Sequence, residues 1–427
     1  LGAPQSSCLQ RHSATASGME ENLAARAFVA TELYGAAAPA DPAGRVYHGD
    51  NLAVLDALAG KRSGGIDFIY IDPPFCTGNH YHVLRIAADE GGRQKLDRPG
   101  AYTDRFAGGL DGYIDFLAPR IARMRDLLAP SGSLVVHVDW RAASCVRLLL
   151  DRIFGPDRLM NEIIWFKGFR GTRIRRAFQH SHDTLWWYTK GGDYYWSQSC
   201  EAYRDRSMSR YNKVDEEGRR YALIKRRRHD GTIYYGKTYP QGKWRNDVLA
   251  DIPTMAATAP ERTGYPTQKP RKLPDVLIAS LCPPGGLVAD FFCGSGTTLV
   301  AAAAGGRRFI GADQSPVALN FTRKRLACSS PEVSFAVMRP RRAAPRAGAP
   351  GAVVRTPAGT LRRTGPAGET LDFWAAGPAA HGVFRPAWRA AASGKKTLPA
   401  ESPPLAETGA IMVLLAGPDG REIWSLV

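Results

Sequence analysis

The hydrophobic and polar positions of this chain follow two periods between about residue 45 and residue 328. Short apolar, β-favouring runs predict strands, and apolar residues at helical spacing predict helices. Strands are predicted at 45–49, 66–72, 133–140, 162–167, 183–190, 287–292 and 308–313. Helices are predicted after the first of these strands as far as residue 58, at 113–132, after the strand 133–140 as far as about residue 154, from residue 297 onward and at 315–327. Because nearly continuous apolar strands alternate with helices, we predict an α/β fold with a doubly wound, mostly parallel sheet.

The charge balance is strongly basic. The 427 residues include 57 Lys and Arg against 40 Asp and Glu, which gives a net charge of +17. About half of the surplus lies in residues 165–262, where 20 Lys and Arg stand against 11 Asp and Glu among many Tyr and Trp residues. Such a surplus favours a polyanionic partner, above all nucleic acid, although a generally basic proteome is an alternative explanation.

Cysteine use and hydropathy restrict the location of the protein. The seven cysteines form no C-x-x-C pair, so we predict neither a zinc site nor a disulfide framework. The N-terminal segment lacks the apolar core of a signal peptide, and the apolar run Ala410–Ala416 is too short to cross a bilayer. We expect a cytoplasmic protein without membrane contact, and we interpret the cluster of His180, His182 and Asp183 as polar strand-edge residues rather than metal ligands.

A Gly-x-Gly turn follows the predicted strand at 287–292, in the sequence VADFFCGSGTT. Gly294 and Gly296 permit a tight turn close to a ligand. Asp313 ends the next strand, where a carboxylate can accept both hydroxyls of a ribose. Because Leu299 occupies the third glycine position of the dinucleotide fingerprint, we predict a ligand with a single nucleoside.

The predicted strand at 66–72 ends on Asp72-Pro73-Pro74-Phe75. The prolines stiffen the turn and remove backbone N–H donors, which leaves acceptors at the carboxyl end of a strand. Asp72 and the Pro73 carbonyl can each accept one hydrogen of a planar amino group while Phe75 stacks on its ring. For this tetrapeptide alone, an N-capping Asp with a proline turn and a core Phe is the alternative interpretation.

Together, the two motifs resemble the amino-directed DNA methyltransferases, which carry a (D/N/S)-P-P-(Y/F/W) signature and use S-adenosylmethionine. D-P-P-F precedes F-x-G-x-G here, with the basic stretch between them, which is similar to the β-class order of type III modification subunits. HGDNL (48–52), GYPTQKP (264–270) and the strands NEIIWFKG and HDTLWWYTK also match the family pattern. The resemblance covers about residues 45–328.

The resemblance implies a Rossmann-like methyltransferase domain with S-adenosylmethionine as cofactor and double-stranded DNA as partner. The implied catalytic residues are Asp72, Pro73, Pro74 and Phe75. The implied cofactor-binding residues are Asp50, Asn51, Leu52, Thr267, Gln268, Lys269, Asp290, Phe292, Cys293, Gly294, Ser295, Gly296, Thr297 and Asp313. The candidate DNA contacts are Arg173, Arg175, Arg176, Arg226, Arg227 and Arg228.

The implied reaction is methylation of adenine N6 at a specific DNA sequence. Aspartate at position 72 favours adenine in this family, whereas Phe75, where tyrosine is commoner, leaves cytosine N4 open. An RNA or protein methyltransferase and an inactive DNA-binding module remain alternatives. A homodimer is left open. Because the sequence contains no P-loop or helicase motif, a restriction endonuclease partner is expected only as a separate chain.

These motifs and compositions divide the chain into six predicted segments. The segments are an N-terminal extension (1–44), a catalytic half-domain (45–164), a basic target-recognition insert (165–262), a cofactor-binding half-domain (263–330), a flexible Ala/Pro/Gly/Arg-rich linker (331–404) and a short tail of strand character (405–427).

Overall fold

The computed structural model describes most of the chain from residue 28 onward. The described residues are 28–35, 41–62, 64–83, 85–88, 94–97, 100–168, 176–201, 208–240, 242–341, 353–364, 371–380, 383–391, 398–405, 411–417, 419 and 421–427. The described helices are α1 (Asn51–Arg62), α2 (Gly109–Leu127), α3 (Ala143–Phe154), α4 (Lys272–Leu281), α5 (Thr297–Ala304) and α6 (Pro316–Ser329), with a 3₁₀ turn at Pro156–Arg158. Within these residues, no helix has both the length and the apolar character that crossing a membrane requires.

The described strands are short, and most lie in one sheet. They are β1 (Phe28–Tyr34), β2 (Gly44–His48), β3 (Ile66–Ile71), β4 (His80–His82), β5 (Arg85–Ala88), β6 (Gln94–Asp97), β7 (Gly100–Thr103), β8 (Leu128–Val138), β9 (Leu159–Phe166), β10 (His182–Thr189), β11 (Cys200–Glu201), β12 (Lys213–Val214), β13 (Arg220–Arg227), β14 (Ile233–Thr238), β15 (Lys243–Trp244), β16 (Val248–Leu249), β17 (Leu287–Asp290), β18 (Arg308–Asp313), β19 (Phe335–Pro340), β20 (Val353–Arg355), β21 (Leu361–Arg363), β22 (Phe373–Ala380), β23 (Val383–Phe384), β24 (Trp388–Ala391), β25 (Ile411–Ala416) and β26 (Glu422–Leu426).

The main sheet has a parallel centre. Its strand order in the described residues is β16-β9-β10-β8-β3-β17-β18-β2-β19-β1-β23-β22-β25-β26, with β24 beside β22. The neighbours from β8 to β19 run parallel, whereas β9 and β10 pair antiparallel beyond β8. The predicted mostly parallel α/β sheet is therefore confirmed.

Helices cover both faces of this parallel centre. Helices α1 to α3 pack on one face and α4 to α6 on the other. On β3, Phe68 and Tyr70 enter one core while Ile69 and Ile71 enter the other. Because both faces are buried, the strand is apolar at nearly every position, which is the pattern that made it recognisable in the sequence.

The helix predicted at 113–132 ends earlier than its apolar spacing suggested. The helix α2 stops at Leu127, and Leu128 adopts an extended backbone that pairs with Ile66 of β3. Pro130 cannot continue a helix interior because it lacks a backbone N–H. The Pro-Ser-Gly segment therefore lies within β8 rather than after the helix.

The start of the predicted basic insert belongs to the main sheet. Strands β9 and β10 flank residues 167–181 and extend the sheet beyond β8. The part of 165–262 outside the main sheet comprises a pairing of β11 with β15 and the three-stranded sheet β12-β13-β14, before β16 returns beside β9. The boundary at residue 165 is therefore too early.

The flexible-linker prediction for residues 331–404 is wrong for the described part of that segment. Strand β19 joins the main sheet, and β20 to β24 form further pairs with each other and with the tail strands. A small core of its own holds these strands together around Trp374, Leu361 and Leu415. The Ala- and Gly-rich composition concealed these strands in the sequence. Alanine packs inward in a tight sheet as readily as larger residues do, so no clear alternation of apolar and polar positions marks the strands.

Four charged residues join the ends of the chain to the central domain; Glu32, Arg323 and Arg339 are buried and Glu422 is half-buried. Glu32 on β1 accepts from Arg339 on β19 at 2.6 Å and from Arg323 on α6 at 3.2 Å. Glu422 on β26 accepts from Arg323 at 2.7 Å and from Arg339 at 2.8 Å. Because each charge has at least two partners of opposite sign, the network offsets the cost of its burial. Strand β1 also shows that part of the predicted N-terminal extension is built into the sheet.

Candidate active site

A cavity of about 280 Å³ opens at the carboxyl ends of the parallel strands. This is the edge where doubly wound sheets bind their ligands. Most predicted site residues line it, namely Asp50, Asn51, Asp72, Pro73, Pro74, Phe75, Thr267, Gln268, Lys269, Asp290, Phe292, Cys293, Gly294, Ser295, Thr297 and Asp313. Leu52 and Gly296 do not line the cavity; the Leu52 N–H donates to Asp50, and Gly296 is the N-cap residue of α5.

Asp72 projects from the end of β3 into the cavity and is mostly buried. Its Oδ2 accepts a hydrogen bond from the ammonium group of Lys269. Its Oδ1 is buried and has no hydrogen-bond partner among the described residues. Nδ1 of His137 lies 3.8 Å from Oδ1. A buried acceptor without a donor is costly, so the site is suited to a ligand that brings an N–H or O–H group.

The loop after the D-P-P-F motif is held by Asp104, which sequence analysis did not identify. Its carboxylate accepts from the Cys76 N–H at 2.7 Å, and from the N–H and hydroxyl of Thr77 at 3.0 and 2.6 Å. Cys76 has a positive φ of 57°, so these bonds stabilise a backbone conformation that L-residues rarely adopt. Phe75 is thereby kept at the cavity, with Lys269 5.1 Å above its ring.

The glycine-rich loop packs too tightly for side chains. Gly296 has φ of +76°, and a Cβ there would lie 2.7 Å from the hydroxyl of Thr322. A Cβ on Gly294, at φ of +48°, would lie 3.2 Å from the Tyr265 ring. Thr322 also donates to the Gly294 carbonyl at 2.9 Å. Both glycines are therefore required by φ and by close approach, as the motif predicts.

Two carboxylates flank this loop with raised pKa values. Burial raises the pKa of Asp290 to about 7, opposed by hydrogen bonds from Thr298 and the Phe292 N–H and supported by the charge of Asp72. Desolvation raises the pKa of Asp313 to about 6, although its oxygens accept from the Ser315 and Gly294 N–H groups at 2.9 Å. Asp313 thus combines a role in shaping the loop with exposure to the cavity.

Asp50 and Asn51 are held by Arg120 of α2, a second residue that sequence analysis missed. The guanidinium group donates to Asp50 Oδ1 at 2.8 Å and to Asn51 Oδ1 at 2.6 Å. The Asn51 amide in turn donates to the Phe291 carbonyl at 2.8 Å. The only signal for this contact in the sequence is an arginine on the apolar face of a predicted helix. Such an arginine indicates a buried partner but does not show which residue the partner is.

The GYPTQKP segment forms one wall of the cavity through three different contacts. Thr267 has φ of 57° and its hydroxyl lies 3.0 Å from that of Tyr102. Gln268 accepts from Thr263 and donates to the Glu261 carbonyl, so its amide stabilises the segment itself. Lys269 reaches the D-P-P-F motif, where its ammonium group donates to Asp72.

The two cysteines beside the motifs hold their protons. Burial, with the nearby Asp104 and Asp139, raises the pKa of Cys76. Burial, with Asp313 and Asp290, raises the pKa of Cys293 well above its ordinary value. A thiol in such surroundings is a poor nucleophile. No group of three or more His, Cys, Asp or Glu side chains placed for a metal ion occurs in the described part of the chain.

Three of the six candidate DNA contacts, Arg226, Arg227 and Arg228, lie on a hairpin that is not part of the cavity lining. Arg226 and Arg227 end β13, and Arg228 follows them at the turn toward β14. All three are exposed, and Arg228 lies over the Tyr234 ring at 5.3 Å. Arg176 is exposed as well, whereas Arg173 and Arg175 lie outside the described residues.

The lining fits a cationic nucleoside ligand. The carboxylates of Asp50, Asp72, Asp290 and Asp313 line a cavity whose lining includes a single lysine, Lys269. Carboxylates accept hydrogen bonds from ribose hydroxyls and favour a neighbouring positive charge. The aromatic ring of Phe292 offers an apolar surface beside them. These residues therefore match the adenosyl and sulfonium parts of S-adenosylmethionine.

The family model described as DNA methylase, for N6 and N4 methyltransferases, matches residues 66–324. The chain belongs to this family of amino-directed DNA methyltransferases, and its cofactor is S-adenosylmethionine.

Relatives of this chain carry matching names. It is 27% identical to the type II methyltransferase M.EcaI of Enterobacter cloacae, over 65% of this chain and 68% of that protein. It is 24% identical to the DNA adenine methyltransferase YhdJ of Escherichia coli K12, over 67% of this chain and 83% of that protein. The solved structure of the cytosine-N4-specific PvuII DNA methyltransferase aligns over 66% of this chain and 88% of its own, at 17% identity and a TM-score of 0.40.

Proposed function

We propose that this protein transfers a methyl group from S-adenosylmethionine to the N6 amino group of adenine at a specific sequence in double-stranded DNA. The observation that carries the proposal is Asp72 Oδ1, a buried acceptor without a hydrogen-bond donor in the described part of the cavity. An exocyclic amino group supplies the missing donor. The cavity also contains the glycine-rich loop and Asp313, so the acceptor faces the cofactor site.

Asp72 and Pro73 would prepare the amino nitrogen for reaction. The lone pair of an exocyclic amine is delocalised into the ring, so the free amine is a weak nucleophile. Two acceptors, Asp72 Oδ1 and the Pro73 carbonyl, favour the pyramidal amine in which that lone pair is available. When bound, S-adenosylmethionine supplies the methyl group from its sulfonium centre. No covalent intermediate on the protein is required.

Lys269 would orient the carboxylate of Asp72 for this task. Its ammonium group occupies Oδ2, which leaves Oδ1 for the substrate. Phe75, which lies under the same lysine, offers a ring on which a flipped base can stack. Flipping a base costs a few kcal/mol, and stacking together with two hydrogen bonds offsets that cost.

The hairpin of β13 and β14 would contact DNA. It places Arg226, Arg227 and Arg228 beside the exposed rings of Tyr234 and Tyr235. Guanidinium groups hold phosphates or guanine edges, and aromatic rings stack on bases. The homodimer, the separate endonuclease chain and the cytoplasmic location predicted from the sequence remain predictions within this proposal.

The base is tested by incubating the purified protein with tritiated S-adenosylmethionine and unmethylated duplex DNA, followed by nucleoside analysis. Adenine is favoured by Asp72 and by the name of the Escherichia coli relative. Label in N6-methyladenine is the expected result. Label in N4-methylcytosine would keep the mechanism and change the base, whereas label in RNA or protein substrates alone would contradict a DNA substrate.

A further inference from the structure

An exposed pair of stacked aromatic rings lies at the edge of the sheet where the cavity opens. Trp140 follows the carboxyl end of β8 in the turn before α3, and His180 lies two residues before β10. Their ring centroids are 4.3 Å apart, and the angle between their planes is 3°. Both residues are exposed, Trp140 at 49%. The reaction proposed above uses neither ring.

The neighbouring strands place this pair close to the D-P-P-F motif. Strand β8 is the parallel neighbour of β3, with Val136 opposite Ile71, so both strands end at the same edge. The ring of Phe75 lies 5.7 Å from that of His137. Trp140 follows His137 by three residues, so their Cα atoms are no more than about 11 Å apart. The major groove of B-DNA is about 12 Å wide, so a duplex that delivers a base to Phe75 extends over Trp140.

The surroundings of the pair favour DNA as its occupant. Arg141, which also pairs with Asp139, is exposed, and its guanidinium carbon lies 4.9 Å from the centre of the Trp140 ring. Arg176 is exposed as well, and Phe178, which shortly precedes the pair's histidine in the chain, is 97% exposed. Flat aromatic rings stack on bases, and neighbouring guanidinium groups hold phosphates. A surface of this composition, beside the entrance for the target base, is suited to the duplex itself.

We propose that the Trp140–His180 pair stacks on the duplex base next to the flipped target. This inference rests on the proposed function, because it takes the target base to leave a DNA duplex. A base next to the flipped one loses a stacking neighbour, which is part of the cost of flipping. The aromatic pair supplies a replacement surface, so more of the bound duplexes hold their target base in the cavity. Both residues contact the substrate without taking part in the chemistry of methyl transfer.

The test compares methyl transfer to a matched duplex and to a duplex with a mismatch opposite the target base. Both contain the sequence that the wild-type protein methylates, which is identified by sequencing the methylated product. Trp140→Ala should slow single-turnover transfer to the matched duplex by about 10- to 100-fold, the range that the loss of one base–aromatic stack accounts for. A mismatched base flips at lower cost, so the difference between variant and wild type should shrink to about 3-fold or less on the mismatched duplex.

Two further variants separate ring stacking from apolar packing. Trp140→Phe keeps a flat ring and should keep most of the wild-type rate on the matched duplex. Trp140→Leu keeps an apolar side chain without a flat face, so it should resemble Trp140→Ala. Leu148→Ala is the control at an exposed apolar position, since Leu148 on α3 is 58% exposed. It should leave the rates on both duplexes unchanged.

DNA binding, measured by fluorescence anisotropy, gives a readout that does not depend on activity. Trp140→Ala should weaken binding of the matched duplex by a similar factor at every salt concentration, because stacking releases no counterions. The slope of log K against log salt concentration should therefore stay at the wild-type value. A variant that displaced the neighbouring arginines instead would make this slope shallower. The dissociation constant for S-adenosylmethionine, measured on the same preparation, should equal that of the wild type.

The outcomes separate this role from the proposed function. If the wild-type protein methylates DNA, the stacking role alone is overturned when Trp140→Ala is as fast as the wild type on the matched duplex, or when it is slowed equally on both duplexes. A wild-type protein that binds cofactor but methylates no DNA overturns the proposed function and this role together.

Discussion

Two aspartates in the cavity hold protons at pH values where an ordinary aspartate is ionised. Asp313 has a pKa of about 6 and Asp290 a pKa of about 7, in both cases because burial penalises the charge. The cavity therefore becomes more negative as the pH rises past neutrality. A cationic methyl donor would be held more tightly by the ionised form.

Asp313→Ala should weaken the binding of S-adenosylmethionine by about 10- to 100-fold, because hydrogen bonds to a charged acceptor are lost. In the wild-type protein, binding should weaken as the pH falls through about 6, where Asp313 becomes protonated. Calorimetric titration between pH 5 and 8, about one to two units either side of that value, measures both effects. An unchanged dissociation constant in the variant would contradict this role for Asp313.

Asp290→Asn should stabilise the cofactor-free protein at pH 8 but not at pH 4. The folded pKa of Asp290, about 7, lies above its ordinary value of 3.8. Between these two values the folded protein holds a proton that the unfolded chain has lost, so the free energy of unfolding falls as the pH rises. Asparagine carries no charge and avoids this loss. Thermal melts of both proteins across this pH range test the sign of the effect. A difference in melting temperature between the two proteins that is the same at every pH would contradict it.

At the scale of elements, predictability depended on burial. Strands β3 and β17 were predicted because both of their faces are buried, which makes them continuously apolar. Strand β22 was missed because alanine and glycine dominate it, although Phe373 and Trp374 are fully buried there. Each motif of the site follows the carboxyl end of a predicted strand, and the two strands, β3 and β17, run parallel and end at the same edge of the sheet.

The supporting contacts of the site could not be predicted in the same way. Arg120, Asp104 and His137 each contact a motif from a distant part of the chain. His137 is a single polar residue on the apolar strand β8, Arg120 is a buried charge on α2, and Asp104 directly follows β7. Such a residue shows that a buried partner is needed, but the partner is decided by tertiary packing alone.

The β13–β14 hairpin should contribute electrostatically to DNA binding. Replacing Arg226, Arg227 and Arg228 with Gln should weaken DNA binding. The slope of log K against log salt concentration should become shallower by about 2 to 3, because roughly 0.9 of that slope is lost with each phosphate contact. Arg219→Gln is the control, since Arg219 is already paired with Asp215 at 2.9 Å. Fluorescence anisotropy over a range of salt concentrations measures both slopes, and equal slopes for the triple variant and the wild type would exclude this hairpin as the phosphate-binding element.

At the scale of the whole molecule, Glu422 ties the tail sheet to the central domain. Glu422→Gln should destabilise the protein at pH 7 by about 3 kcal/mol, because it leaves Arg323 and Arg339 short of a buried counter-charge. Burial opposes ionisation, yet Arg323 and Arg339 hold the pKa of Glu422 at about 2.

The pH dependence of this effect has a definite sign. Because the folded pKa of Glu422 lies below the ordinary value of 4.5, its contribution is complete above that value and is lost as the pH falls toward 2. The difference in the free energy of unfolding between Glu422→Gln and the wild-type protein, measured by denaturant titration, should therefore shrink as the pH falls. Asp419→Asn, which breaks the exposed pair with Arg421, should change the stability by less than about 1 kcal/mol. A variant at position 422 as mild as this control would contradict the role of the network.

The most direct test of the account compares Asp72→Ala with the wild-type protein in two measurements on one preparation. The account predicts that S-adenosylmethionine still binds with nearly the wild-type dissociation constant, while methyl transfer to DNA falls by at least about 100-fold. Near wild-type methylation by Asp72→Ala would contradict the central claim that the buried oxygen of Asp72 receives the target amino group.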